Sequence, residues 1–239
     1  MSISKGKLYL LPVPLGENAD PGMLSVNHPA IVGALKKFVV ENPRTARRYI
    51  KKIVPETDLD QVEMISTNEE ELSQAINWLM KGENVGLMSE AGLPCLADPG
   101  NSLVLMCHQK KIQVIALSGP SSVFIALMLS GLNGQEFTFH GYLPAKTYER
   151  KQKIKQLNEI CHKSKQTQVF IETPYRNMTL LKDLLINLNN DLYLSISSNL
   201  GLNDSFSLTL TIADWKKIPG ELLKSWLHKK PAVFCLGYI

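Results

Sequence analysis

The first half of this chain alternates short apolar runs with amphipathic helical stretches, and few folds accept that order. Runs such as "KLYLLPV", "NVGLMS" and "QVIALS" are apolar almost without interruption. Strands buried on both faces of a parallel sheet read this way. Between them, residues 69–81 place Leu72, Ala75, Ile76 and Leu79 on one helical face, and residues 101–111 continue the alternation. Strand, helix and strand in turn predict an α/β architecture with a largely parallel sheet. Residues 121–131 and 178–188 add helices between the later runs "EFTFHGY", "QVFIET" and "DLYLSISS". After about Asp191 the order changes, because "DLYLSISS", "FSLTLTI" and "PAVFCLGY" bring consecutive strands. That predicts a mixed sheet with antiparallel pairs. The expectation is two α/β domains, residues 1–117 and 118–239, with the break at "SGPSS".

Composition narrows the class. With 44% hydrophobic and 20% charged residues in 239, the chain can bury a sizeable core and is not of a disordered type. No apolar stretch is long enough to span a bilayer. The start "MSISKGKLYLLPVP" reads as a first strand rather than a signal peptide. Cys95, Cys107, Cys161 and Cys235 lie far apart without a C-x-x-C pair, so reduced thiols in a cytoplasmic protein are expected, and no metal site. The net charge of +4 is concentrated in two places. One holds Lys36, Lys37, Arg44, Arg47, Arg48, Lys51 and Lys52, with Glu41 opposing them. The other holds Lys146, Arg150, Lys151, Lys153, Lys155, Lys163 and Lys165. Each is either a solvated helix face or a phosphate-contacting surface.

Three Gly/Pro-containing turns follow strands of the first half: residues 11–20, 89–100 and 118–122. The carboxyl ends of parallel strands share one edge of the sheet, where ligands bind, so the three turns are expected to converge. Small residues there let main-chain groups approach a ligand closely. The chain lacks both G-x-G-x-x-G and G-x-x-x-x-G-K-[ST], and nothing in these turns resembles a pyrophosphate nest. An adenosine-type ligand without phosphates suits such turns. A sulfonium cation also tolerates carbonyl dipoles and an acid such as Glu90, a description compatible with S-adenosylmethionine without selecting it.

Six segments in order resemble one family. They are "LYLLPVPLGENAD", "VVENPRTARRYIKK", "VGLMSEAGLPCLADPG", "VIALSGPSSVFIAL", "GYLPAK" and "FIETPYR". Together they resemble the tetrapyrrole-methylase superfamily, most closely its branch that methylates ribose 2′-hydroxyls of small-subunit ribosomal RNA. The resemblance runs from about Lys7 to Arg176 and thins afterwards. It implies a two-domain, tetrapyrrole-methylase-like fold, S-adenosylmethionine in the cleft between the domains, RNA of the small ribosomal subunit as partner, and a homodimer. By position, Pro12 and Pro14 border the cofactor. Ser89, Glu90, Ala91, Gly92 and Leu93 supply the main contact, and Ser121 and Ser122 a further one. Glu41 and Arg44 fall on the substrate side, Glu41 as base or hydroxyl anchor and Arg44 on a phosphate. Arg47, Arg48 and Arg176 extend an RNA-contacting track, with a structural pairing of Arg176 and Glu172 as the other reading. Asp98 is expected to cap the helix that begins near Asn101.

The departures lie mainly on the substrate side. Asn42-Pro43 replaces the family's Asp-Thr, and "SSNLGL" at residues 197–202 lacks the family's Arg, Glu and Lys. Two alternatives therefore stand beside an RNA methyltransferase: a methyltransferase acting on a tetrapyrrole or other small molecule, and an inactive relative that binds S-adenosylmethionine or RNA.

Overall fold

The computed structural model describes residues 4–19 and 21–239. Asp20, the last residue of the first expected loop, lies outside the described residues, as do Met1, Ser2 and Ile3. The chain divides into two compact units, residues 1–121 and 122–239.

The first unit is built on a five-stranded sheet. In chain order its elements are β1 (Leu8–Leu11), α1 (His28–Ala34), β2 (Lys37–Val40), α2 (Pro43–Ile53), β3 (Glu63–Ser66), α3 (Glu69–Met80), β4 (Val85–Met88), α4 (Asn101–Gln109) and β5 (Val114–Ala116). The strand order is β3-β2-β4-β1-β5, and every pairing is parallel. β4 sits at the centre with all four residues buried, which accounts for its uninterrupted apolar sequence. One layer of core packs Leu72, Ala75, Ile76 and Leu79 of α3 with Leu103 and Cys107 of α4. The opposite layer packs Ile50 of α2 and Val32 of α1 against Phe38 and Met88.

β2 and β3 escape a reading of apolar runs. β2 is the four-residue "KFVV" and β3 the four-residue "EMIS", each opening on a charged residue. Lys37 and Glu63 are register partners and form an ion pair, so the charges that hide these strands also pair them. Lys37 further lies 3.6 Å from Glu83 and 5.0 Å over the Trp78 ring. It is therefore a sheet residue and not part of a phosphate-facing cluster.

The second unit contains α5 (Ser122–Ser130), β6 (Phe137–Tyr142), α6 (Thr147–Ser164), β7 (Thr167–Glu172), α7 (Asn177–Asn187), β8 (Tyr193–Ser198), β9 (Phe206–Thr211), α8 (Ile212–Trp215), α9 (Gly220–Leu227) and β10 (Ala232–Gly237). Its sheet has the order β6-β7-β10-β8-β9. β6 and β7 are parallel, whereas β10 runs antiparallel to both β7 and β8, and β8 antiparallel to β9. The mixed sheet thus follows from the consecutive strands after residue 191. Its core joins Ile154, Leu157 and Cys161 of α6, Leu180, Leu181 and Leu184 of α7, and Phe170 stacked on Phe234 at 5.5 Å.

Arg150 departs from the charge-cluster expectation. It is 4% exposed, and its Nε and Nη2 donate to Asp183 Oδ2 at 2.8 and 2.7 Å. Its Nη1 donates to the carbonyl of Ala145 at 2.6 Å. A guanidinium locked this way holds a loop and is withheld from phosphate.

Candidate functional site

At the carboxyl edge of the first sheet the three Gly/Pro turns do meet. β1 leads into Pro12, Val13 and Pro14, β4 into residues 89–100, and β5 into residues 117–121. Val13 and Gly92 exchange two main-chain hydrogen bonds, each 2.8 Å, which join the first turn to the second. Gly119 lies so close to the first turn that an added Cβ would overlap the Pro12 ring. A Cβ on Gly92, at φ +76°, would come within 3.5 Å of the Pro120 carbonyl. At Gly119 the missing side chain leaves room for the Pro12 ring, whereas at Gly92 it is the positive φ, and not space, that favours glycine.

The second turn stores strain. Besides Gly92 and Gly100 at φ +126°, Cys95 and Ala97 adopt φ of +68° and +69°. Residues with a Cβ adopt this region at a cost of order 1 kcal/mol each, and such strain collects at functional sites. Gly100 is the residue preceding α4, and no side chain caps that helix, so Asp98 does not cap it as expected.

Asp98 instead faces the interior of the turn. Burial raises its carboxyl pKa to about 6; a hydrogen bond with Ser89 opposes the rise, and the nearby charges of Glu41 and Glu90 add to it. Ser89 is buried, and its hydroxyl donates to the Ala91 carbonyl at 3.3 Å. The main-chain N–H of Glu90 donates to Glu41 Oε2 at 3.3 Å, and the Thr45 hydroxyl donates to Glu90 Oε1. Glu41, Thr45, Glu90, Ser89 and Asp98 therefore form one polar network spanning the ends of β2 and β4.

Local chemistry fixes where Glu41 and Thr45 stand. Asn42 precedes α2 with an extended backbone, its side chain accepts from the Arg44 N–H at 3.0 Å, and Pro43 occupies the first helical turn. An Asn cap followed by Pro is a strong helix start. The Asn42-Pro43 departure is thus a change of helix cap, and α2 presents a hydroxyl to Glu90 at Thr45. Thr45 was missed because nothing in its immediate sequence marks it; only the pairing of β2 with β4 brings it to Glu90.

The basic residues of α2 separate into two groups. Arg47 donates to the Leu59 carbonyl at 3.3 Å, Lys51 to the Thr57 carbonyl at 3.1 Å and Lys52 to the Glu17 carbonyl at 2.7 Å. Arg44 and Arg48 are exposed, four residues apart on one face, and among the described residues neither guanidinium has a hydrogen-bond or ion-pair partner. On the buried side, Tyr49 meets His28 Nε2 at 2.9 Å, which ties α2 to α1.

Of the other expected residues, Pro12 is buried, Ser121 closes the first unit and Ser122 opens α5 in the second. Arg176 belongs to the second unit, where its Nε and Nη2 donate to Glu172 Oε1 at 2.9 and 2.6 Å, and Glu172 is 3% exposed. That pair is structural in the first instance. Among the described residues no group of three or more His, Cys, Asp or Glu side chains is placed to hold a metal, and no helix is long and apolar enough to cross a membrane.

In sequence the three turns carry Glu17, Asp20, Glu90 and Asp98 and no Lys or Arg. A phosphate would meet like charge there, whereas a cation gains from it. The side chains of the turns suit a sulfonium better than a phosphate, with Lys52 held on the Glu17 carbonyl as the cation beside the first turn.

No family model matches the chain. It is 31% identical over 179 residues to a protein of Vibrio cholerae named ribosomal RNA small subunit methyltransferase I, covering 74% of this chain and 59% of that one. Proteins of the same name from Buchnera aphidicola and Escherichia coli O157:H7 are 27% and 28% identical, over 98% and 82% of this chain and 76% and 66% of their own. The chain thus spans about three fifths of the length of the Vibrio relative. Among solved structures, a uroporphyrin-III-C-methyltransferase from Thermus thermophilus aligns over 97% of this chain and 92% of its own, with a TM-score of 0.55 and 16% identity. Cobalt precorrin-4 methyltransferase aligns over 97% and 94%, with a TM-score of 0.58 and 15% identity. These two establish the fold.

Proposed function

We propose that this chain, which is similar to proteins named ribosomal RNA small subunit methyltransferase I, is an S-adenosylmethionine-dependent methyltransferase acting on RNA. The observation that carries the reading is the meeting of three turns, acidic and free of Lys and Arg, at the carboxyl edge of a parallel sheet. Pro12, Pro14 and residues Ser89 to Leu93 would hold the donor there, chiefly through main-chain groups, with Ser121 and Ser122 as further contacts. When bound, S-adenosylmethionine supplies an electrophilic methyl group.

The chain's own residues have the remaining tasks. A ribose hydroxyl is a weak nucleophile at neutral pH, and a positioned carboxylate that accepts its proton accelerates attack. Glu41 is the candidate: it is exposed, and its Oε2 is anchored on the Glu90 N–H. Thr45 fixes Glu90 from the other side. Arg44 and Arg48, unpaired among the described residues, lie on the same helix that begins beside Glu41, where they would hold phosphates of the acceptor. Small-subunit ribosomal RNA is the proposed acceptor, cytoplasm the proposed location and a homodimer the proposed assembly.

Two measurements test this. Titration calorimetry should give a donor dissociation constant in the micromolar range, on the order of −8 kcal/mol. Tritiated donor incubated with small ribosomal subunits from a strain lacking the gene should label the RNA. Absence of donor binding would sink the reading as a whole. Donor binding without RNA labelling would remove the acceptor and leave a small-molecule methyltransferase, if uroporphyrinogen-like compounds are labelled, or an inactive relative.

A further inference from the structure

The second unit carries a surface that the donor-binding turns do not use. β6 and β7 are parallel neighbours, so the segments that leave them, residues 143–146 and 173–176, emerge at one margin of the sheet. β10 runs antiparallel to β7 with Ala232 opposite Glu172, which brings residues 228–231 to the same margin. Each segment is fastened from below. Arg150, itself held by Asp183, donates to the Ala145 carbonyl at 2.6 Å. Buried Glu172 accepts from Arg176 and, at 2.6 Å, from the Thr173 N–H. Asn177, fully buried, donates to the carbonyls of Leu227 at 3.2 Å and Lys230 at 2.5 Å, tying the start of α7 to the third segment.

On this fixed frame two aromatic rings face outward. Tyr175 is 82% exposed and Tyr148, in the first turn of α6, is 75% exposed. Tyrosine presents a large flat ring with a polar tip, and two of them on one pinned margin offer faces on which planar groups can stack. The charges beside them are mostly positive. Lys146 is 82% exposed although it lies 3.3 Å from Glu149, Arg176 is one-third exposed beyond its bond to Glu172, and Lys229 is exposed in a tight turn at φ +59°.

The geometry points to this margin as a stacking platform for single-stranded RNA, with Tyr148 and Tyr175 each receiving a base and Lys146, Arg176 and Lys229 meeting the phosphates. The inference rests on the reading of RNA as acceptor and gives that RNA a second contact surface. Aromatic faces set among cations are the combination that holds unpaired bases regardless of sequence, and an anchored frame loses little entropy when it binds. Protein interfaces are depleted in lysine, whereas Lys146 and Lys229 both stand exposed on this margin.

The test is fluorescence anisotropy with a labelled single-stranded oligoribonucleotide of about twelve residues, matched to calorimetry with S-adenosylmethionine. Tyr148→Ala and Tyr175→Ala should each weaken RNA binding about tenfold. Tyr148→Phe and Tyr175→Phe, which keep the ring, should bind within about twofold of the parent, and donor affinity should be unchanged in all four variants. RNA affinity unaltered in both alanine variants would overturn the platform while leaving an RNA methyltransferase standing. Loss in the phenylalanine variants as well would also overturn stacking. A parent chain that binds no RNA would remove the acceptor reading and the platform together.

Discussion

Asp98 shows how one carboxyl can record the chemistry of its surroundings. Burial raises its pKa from 3.8 to about 6, with the charges of Glu41 and Glu90 adding to the rise. The folded state therefore holds the proton more tightly than the unfolded chain. Stability falls as pH rises from about 4 to 6, and the penalty stays in place above pH 6, reduced by solvent screening of this half-exposed group to the order of 1 kcal/mol. Asp98→Asn should flatten that dependence: urea midpoints taken at pH 4 and pH 7 should lie closer together than in the parent. The same crowding of acids disfavours phosphates and suits a sulfonium, so the variant should also bind S-adenosylmethionine more weakly. Gly119 makes the complementary point about space. A methyl group there collides with Pro12, and Gly119→Ala should destabilise the chain by about 1–3 kcal/mol and weaken donor binding by separating the first and third turns. Both effects are measurable on one protein preparation, by denaturation and by calorimetry.

Among the elements, α2 does the most with the least sequence. It starts where Asn42 caps the Arg44 N–H and Pro43 fixes the first turn; it packs Ala46 and Ile50 inward and turns its basic residues outward. Asn42→Ala should lower stability by about 1 kcal/mol. Its outer face is not uniform. Arg47, Lys51 and Lys52 fasten neighbouring carbonyls, and Arg44 and Arg48 are left over. Replacing Arg44 and Arg48 together by Ala should reduce the slope of log K against log salt for RNA binding by about 1.4, while Lys51→Ala should leave that slope within error. Equal slopes for parent and double variant would show that these guanidinium groups do not meet phosphate.

The two units each own a core, one formed by residues of α6, α7 and the mixed sheet and the other by two layers around the parallel sheet. The Arg150–Asp183 pair lies wholly within the second. Asp183→Ala would leave a buried guanidinium without its partner, at a cost of about 3–5 kcal/mol. Hydrogen exchange should then accelerate across residues 122–239 and leave the central strand β4 of the first unit as protected as before.

The order of elements and the two sheet types were legible because burial on both faces writes apolar runs and antiparallel pairing writes consecutive strands. Three turns at one edge were legible too, since parallel strands end on the same side. What the sequence could not show is decided by pairing between distant strands. β2 and β3 hide behind Lys37 and Glu63, whose opposition exists only in register. Thr45 reaches Glu90 and Glu41 reaches the Glu90 N–H across more than forty residues, and Asp98 bonds Ser89 within its own turn instead of capping α4. A basic run likewise cannot tell Arg150, buried on Asp183, from a solvated neighbour. Periodicity determined what is buried along each element; which charge meets which partner was settled only by folding, because electrostatic and hydrogen-bonding partners are fixed by position in space and leave no pattern along the chain.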